Sequence, residues 1–260
     1  MGFEGCIFRI SLSQFDLQMK AMLFAAGLGT RLQPFTFTKP KALLPLKGIP
    51  LLELAIRRLK YYGFTEIMVN VHHFADQIIS FLAEKEYFGI QIQISDETDL
   101  LLDTGGGLKK VSWFFDDQPF LVANADILTS LNLSALYTHH CKTNHSVTLA
   151  VSRRFSTRQL SIDASGLLCG WKNHQTGKKI YARSGPEETY CSFSGVHFAN
   201  PAIFAQMPNQ EVFPILPFYL SLAKEGSVGT YDHSEDYWFD LGRLENVPDA
   251  EHILHQIPGI

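Results

Sequence analysis

The first half of this 260-residue chain alternates short apolar runs with segments of helical spacing, and no other feature constrains its fold as strongly. Lys20 to Ala25 is an apolar run that ends in glycines, and Glu66 to Val71, Ile90 to Ile94 and Phe120 to Ala123 are later runs of the same kind. Runs of this length bounded by turn residues read as buried strands. Between them Leu51, Leu52, Leu54, Ala55, Leu59 and Tyr62 recur at helical spacing up to Gly63, Phe74 to Leu82 repeats the pattern, and Gly105 to Val111 starts a short third helix. Strands that alternate with helices imply βαβ units. The expected fold class is therefore α/β, a doubly wound, mostly parallel sheet covered on both faces.

After about residue 145 the pattern changes. Ser146 to Val151, Gln159 to Ile162, Leu167 to Trp171, Lys179 to Arg183 and Ser192 to Phe198 are separated by turn residues and read as antiparallel strands of a small lobe. Helical signals return at Pro201 to Gln206 and Pro214 to Lys224, followed by a strand at Trp238 to Leu241 and a helix from Leu244 to about His255. The expected organisation is one domain over 19–257, with 19–145 as one half and 146–257 as the other. Residues 1–18 have neither the basic start nor the apolar stretch of a signal peptide. They read as a poorly ordered extension or an upstream choice of start, since Met19 directly precedes the first strand.

With 46% hydrophobic residues the chain can bury a sizeable core, and its formal charge of −4 offers no uniform basic field for nucleic acid. No run approaches the roughly 18 apolar residues of a spanning helix, so no membrane role is expected. Cys6, Cys141, Cys169 and Cys191 form no CxxC pair, which fits a reducing, cytoplasmic setting. His139, His140, Cys141 and His145 are zinc-type ligands without the second pair that such a site needs, and they read as structural. The sequence leaves the oligomeric state open.

Chemistry concentrates in the loop after the first strand. Gly27-Leu28-Gly29-Thr30-Arg31-Leu32 matches the first two glycines of a dinucleotide fingerprint, but Leu32 holds the place of the third, and Lys47 stands where an acid for the ribose is expected. What remains is a flexible loop that can approach an anion, a permanently charged guanidinium at Arg31 and, ten residues on, the point charge of Lys41. Prolines at 34, 40, 45 and 50 keep the segment irregular, and long loops inside compact domains are usually functional.

Ala25-Ala26-Gly27-x-Gly29-Thr30-Arg31-Leu32 followed by Lys39-Pro40-Lys41 resembles the signature of the sugar-1-phosphate nucleotidyltransferases. The resemblance runs through Asp103-Thr104-Gly105-Gly106-Gly107, Asn124-Ala125-Asp126, Phe193-Ser194-Gly195 and Trp238-Phe239-Asp240-Leu241-Gly242, in family order. Ala125 and Ala42 replace the glycine and proline usual in the family. The resemblance implies a Rossmann-like fold and a reaction in which a sugar-1-phosphate oxygen attacks the α-phosphorus of a nucleoside triphosphate and pyrophosphate leaves. It assigns Arg31 and Lys41 to catalysis and Ala25, Ala26, Gly27, Gly29, Thr30, Gly105 and Gly106 to the nucleotide. Asn124, Ser194 and Gly195 fall to the sugar phosphate, and Asp126 and Asp240 to Mg2+.

Many relatives carry a Glu-Lys-Pro segment whose lysine grips the sugar phosphate. None is present here, and Lys172 and Lys179 are the candidates to replace it. Hexapeptide repeats do not follow residue 240, so the resemblance is strongest to the short enzymes acting on N-acetylmuramate 1-phosphate with UTP, and next to short mannose-1-phosphate guanylyltransferases. A glycosyltransferase would want an Asp-x-Asp motif, which Asn124-Ala125-Asp126 is not. A non-catalytic regulatory homologue would have lost charges that are all present here.

Overall fold

The structure, a computed structural model, describes residues 19–260; the expectation for residues 1–18 lies outside the described residues. The first strand, β1 (Met19–Phe24), is followed by a long segment of 3-10 turns and a small hairpin of β2 (Pro45–Leu46) and β3 (Ile49–Pro50). Then come α1 (Leu51–Tyr61), β4 (Phe64–Val71), α2 (Ala75–Glu84), β5 (Gln91–Asp96), α3 (Asp103–Lys110), β6 (Phe120–Asn124), β7 (Ile127–Thr129) and α4 (Leu133–Thr143). The second half contains β8 (Val147–Ser152), β9 (Arg158–Ile162), β10 (Leu168–Asn173), β11 (Lys179–Tyr181), β12 (Thr189–Ala199), α5 (Ile215–Ala223), β13 (Val228–Asp232), β14 (Trp238–Asp240) and α6 (Val247–Ile253).

The parallel centre runs β6-β1-β4-β5, as the alternation of runs and helices predicts. Successive side chains of a strand point to opposite faces, and both faces are covered here. Ala21 and Leu23 pack with Leu52 and Ile56 of α1 and Ile78 of α2, whereas Met22 packs on the other side with Leu108 of α3 and Phe218 of α5. Burial on both faces is why β1 reads as a continuous apolar run rather than an alternating one.

The antiparallel strands continue the same ten-stranded sheet rather than standing apart. β12 pairs β6 through Val196–Ala199 and β9 through Thr189–Cys191, and its register against β8 shifts between Phe193 and His197, where Gly195 takes φ +73°. A bulge of this kind re-aims side chains at a sheet edge. α5 accommodates Pro217 because it falls in the first turn, where a backbone N–H has no intrahelical acceptor. Four short strands not expected from the sequence, β2, β3, β7 and β13, complete the fold; β7 pairs β14 with Ile127 opposite Asp240. No helix among the described residues is long and apolar enough to cross a membrane.

Candidate active site

The glycine-rich loop begins at the carboxyl end of β1 and is clamped where it starts. The backbone amides of Ala25 and Ala26 donate to Asn70 Oδ1 at 2.8 and 3.3 Å. Asn70 Nδ2 donates to Glu97 Oε1 at 2.8 Å, and Glu97 Oε2 accepts from the Leu102 amide at 3.1 Å. Asn70 and Glu97 are both buried, so this chain of bonds ties the ends of β1, β4 and β5 together in a setting where an unmade bond is expensive. Downstream, Gly29 sits at φ +65° and a Cβ there would lie 2.8 Å from the Thr36 methyl, while a Cβ on Gly27 would meet nothing within 4 Å. Gly29 is thus required by the turn, and Gly27 leaves open space. Ala25, Ala26, Gly27, Gly29, Thr30, Arg31 and Lys41 all line one cavity of about 640 Å3.

Gly105 and Gly106 are exceptions among the expected nucleotide contacts: neither lines this cavity. Their amides donate to Phe213 O at 2.9 and 3.2 Å, and added Cβ atoms would collide with Phe213 and with the Glu211 carbonyl oxygen. The glycines let α3 lie directly against the 211–213 backbone, a packing requirement. Asp103 and Thr104, at the start of the same helix, do line the cavity.

At the far end of this cavity two carboxylates and their cations meet. Lys41, in a 3-10 turn begun by Pro40, forms an ion pair with Asp126 just past β6. Arg31 Nη1 and Arg243 Nε lie 3.7 and 3.6 Å from Asp240 Oδ2. The β7–β14 pairing joins the two acids, since the Leu241 amide donates to the Asp126 carbonyl at 2.9 Å. Gly242 completes the corner: its amide donates to Asp240 Oδ1 at 2.8 Å, and a Cβ there would collide with Lys41 Nζ. Lys41 with Asp126, 85 positions apart, and Arg31 with Asp240, farther still, are therefore brought together near the carboxyl ends of strands, where open α/β sheets bind ligands.

A second cavity of about 570 Å3 lies across this corner and shares Arg31, Asn124 and Asp126 with the first. Asn124 and Gly195 both line it, and a Cβ on Gly195 would come within 2.9 Å of Asn124 Nδ2. Its walls include Arg154, Trp171, Phe193, Trp238 and Arg243, none of which sequence reasoning assigned. Arg154 stacks on the Trp238 ring, with its guanidinium carbon 3.5 Å from the ring centroid, and donates to Phe193 O at 2.6 Å. Burial pulls its pKa down to about 10, with Asp240 opposing the shift and Arg243 adding to it, so it stays charged at neutral pH.

The structure does not bring Ser194, Lys172 or Lys179 to either cavity. Ser194 is fully buried, with its hydroxyl 2.7 Å from His233 Nε2 and its carbonyl accepting from Trp238 Nε1 at 2.9 Å; it supports the wall from behind. Strand alternation puts Trp171 of β10 in the wall and turns Lys172 away, over the Tyr190 ring. Asn70 had a signal in the sequence, as the one polar residue in the apolar run from Ile67 to Val71 at the carboxyl end of its strand. Arg154 had none.

Among the described residues no three His, Cys, Asp or Glu side chains gather as a metal cluster. His140 instead bonds Thr148 Oγ1 and Asn200 Oδ1 at 2.8 and 3.3 Å, and burial pushes its pKa down to about 4.

The nucleotidyl transferase family model matches residues 20–159, over half of the chain. The UTP–glucose-1-phosphate uridylyltransferase of Synechocystis is 29% identical over 93% of this chain and 66% of its own length. The N-acetylmuramate α-1-phosphate uridylyltransferase of Neisseria meningitidis is also 29% identical, over 90% of this chain and 97% of its own. The chain thus spans just under two thirds of the first relative and nearly all of the second. Among solved structures, the inositol-1-phosphate CTP transferase from T. maritima superposes with a TM-score of 0.74 at 15% identity, covering 92% of this chain and 96% of that one, a likeness of fold. A glycine-rich loop, three cations and two carboxylates joined at one corner, and a family match across the strands that carry most of them lead to one assignment: the chain belongs to the nucleotidyl transferase family.

Proposed function

We propose that the protein transfers a uridylyl group from UTP to N-acetylmuramate 1-phosphate, releasing pyrophosphate. The observation that carries this reading is the pair of cavities meeting at a wall of Arg31, Asn124 and Asp126. One cavity suits a nucleotide, with a glycine loop and cations toward the corner and Leu28, Leu101 and Val212 toward the other side. The other, walled by aromatic rings and arginines, suits a sugar with anionic groups. The Neisseria relative, matched over nearly its full length, supports the choice of sugar and base. In this reading residues 19–145 carry the nucleotide side and 146–257 the sugar side, although each cavity borrows residues from the other half.

Two polyanions must approach each other in this reaction, so catalysis is mainly positioning and charge neutralisation. Arg31 holds the triphosphate and stabilises the departing pyrophosphate, and Lys41 neutralises charge developing at the α-phosphate. The attacking oxygen is the substrate's own phosphate, and no protein nucleophile is used. Asp126 and Asp240 fit Mg2+, which is typically held by one or two carboxylates together with substrate phosphates; both acids face one corner, where they are paired with Lys41, Arg31 and Arg243. Bound there, the ion would neutralise phosphate charge. Free thiols at Cys141, Cys169 and Cys191 suit a cytoplasmic setting for this reaction.

The test is pyrophosphate release with magnesium, crossing UTP, GTP, CTP and dTTP with the 1-phosphates of N-acetylmuramate, N-acetylglucosamine, mannose and glucose. Release confined to UTP with N-acetylmuramate 1-phosphate is expected. Release from GTP with mannose 1-phosphate would replace this reading with guanylyl transfer, and silence in every pair would overturn it.

A further inference from the structure

We infer that Arg154 binds an anionic group of the sugar substrate other than its 1-phosphate, and so selects sugars that carry a carboxylate. The inference rests on the proposed function and names the selectivity of that same site. The cavity is lined by four arginines, Arg31, Arg154, Arg158 and Arg243, and two of them are engaged by Asp240. Arg154 makes no ion pair with any described residue, and its Nε is buried without a partner. A buried donor left unpaired is costly, and the residue that carries it lines a cavity large enough for a sugar.

The position of Arg154 separates it from the reacting phosphate. The acceptor phosphate has to reach the shared wall to attack, so it lies against Arg31, Asn124 and Asp126. Arg154 lines the second cavity and not the first. Its bond to Phe193 O and its stacking on Trp238 hold the planar fork in one orientation, which suits bidentate carboxylate recognition. A neutral sugar would leave this cation unmatched. N-acetylmuramate differs from N-acetylglucosamine by a lactyl ether that ends in a carboxylate, so the pair isolates the group in question.

The experiment compares kcat/KM for the two sugar 1-phosphates with UTP, in the wild type and in Arg154→Gln and Arg154→Lys. The wild type should prefer the carboxylated sugar by roughly 10- to 100-fold, the range of a charged hydrogen bond. Arg154→Gln should bring the ratio close to one, and Arg154→Lys should restore part of it. A ratio is insensitive to the fraction of enzyme that folds. Equal losses for both sugars would mean that Arg154 serves the shared 1-phosphate, and an unchanged ratio would mean that it serves neither; each result overturns the inference. If neither sugar reacts, the proposed function fails, and calorimetric binding of the same two compounds decides the inference separately: equal affinity in the wild type would overturn it.

Discussion

The nucleotide-side cavity takes much of its wall from one loop, Ala25 to Arg31, whose shape is fixed by backbone geometry and by two amides held on Asn70. The sugar-side cavity takes Arg154, Trp171, Phe193, Trp238 and Arg243 from separate places on five segments. One surface is made mainly of main chain and small residues, the other of large side chains held in place by the sheet behind them. The difference teaches where each kind of specificity resides. In the proposed function a triphosphate is the same on every nucleotide and can be bound by a contiguous motif, whereas the sugar varies and would be met by side chains that can be exchanged without disturbing the backbone.

The largest effect is expected where the two cavities meet. Lys41→Ala and Asp126→Ala should each lower kcat by about 10²–10³-fold, the scale seen when a group stabilising transition-state charge is removed. Because both residues are partly exposed and lie outside the core clusters, the melting temperature should hardly move. Full activity in either variant would break the assignment of the shared wall. Acid should act on the other side of the comparison. Burial holds His140 at about 4 and His197 at about 3, below the ordinary 6.5, and both pack around β8 and β12.

Between pH 6.5 and those values the unfolded chain binds more protons than the folded one. The stabilisation is therefore complete above about pH 6.5 and is lost as pH falls toward 4 and below. Urea denaturation should register a loss of about 1–2 kcal/mol per histidine by pH 5. A flat profile from pH 7 to 5 would show that these imidazoles are not held neutral by burial.

Two smaller effects sharpen the contrast within the nucleotide side. Gly106→Ala should destabilise the fold by about 1–3 kcal/mol through overpacking against Glu211, while kinetic constants per folded molecule stay close to wild type. A selective rise in the KM for nucleotide would restore this glycine as a ligand contact. Asn70→Ala should do the opposite: releasing the amides of Ala25 and Ala26 should raise the nucleotide KM about 10-fold and leave the sugar KM unchanged, as steady-state kinetics would register.

Legibility in the sequence follows the same division. The parallel strands were readable because burial on both faces makes them continuous apolar runs, and the loop was readable because its residues are neighbours in the chain. β7 was not, because three residues carry no period, yet its pairing with β14 is what sets Asp126 beside Asp240. The five motif blocks led to the acids and the cations by resemblance. They did not show that Gly105 and Gly106 meet a packing need, nor, at Lys172, which face of β10 the charge would take. Arg154 was invisible because its role depends on a ring 84 positions away and on a cavity that exists only in the folded chain.

The central claim is a single in-line transfer between ligands in two cavities that meet at Arg31, Asn124 and Asp126. It is tested most directly by the stereochemical course at phosphorus, using UTP with one chiral thiophosphate at the α-position and N-acetylmuramate 1-phosphate as acceptor. One displacement with no protein nucleophile predicts inversion of configuration in the nucleotide sugar. Retention would mean two displacements through a covalent enzyme intermediate, and would contradict the account.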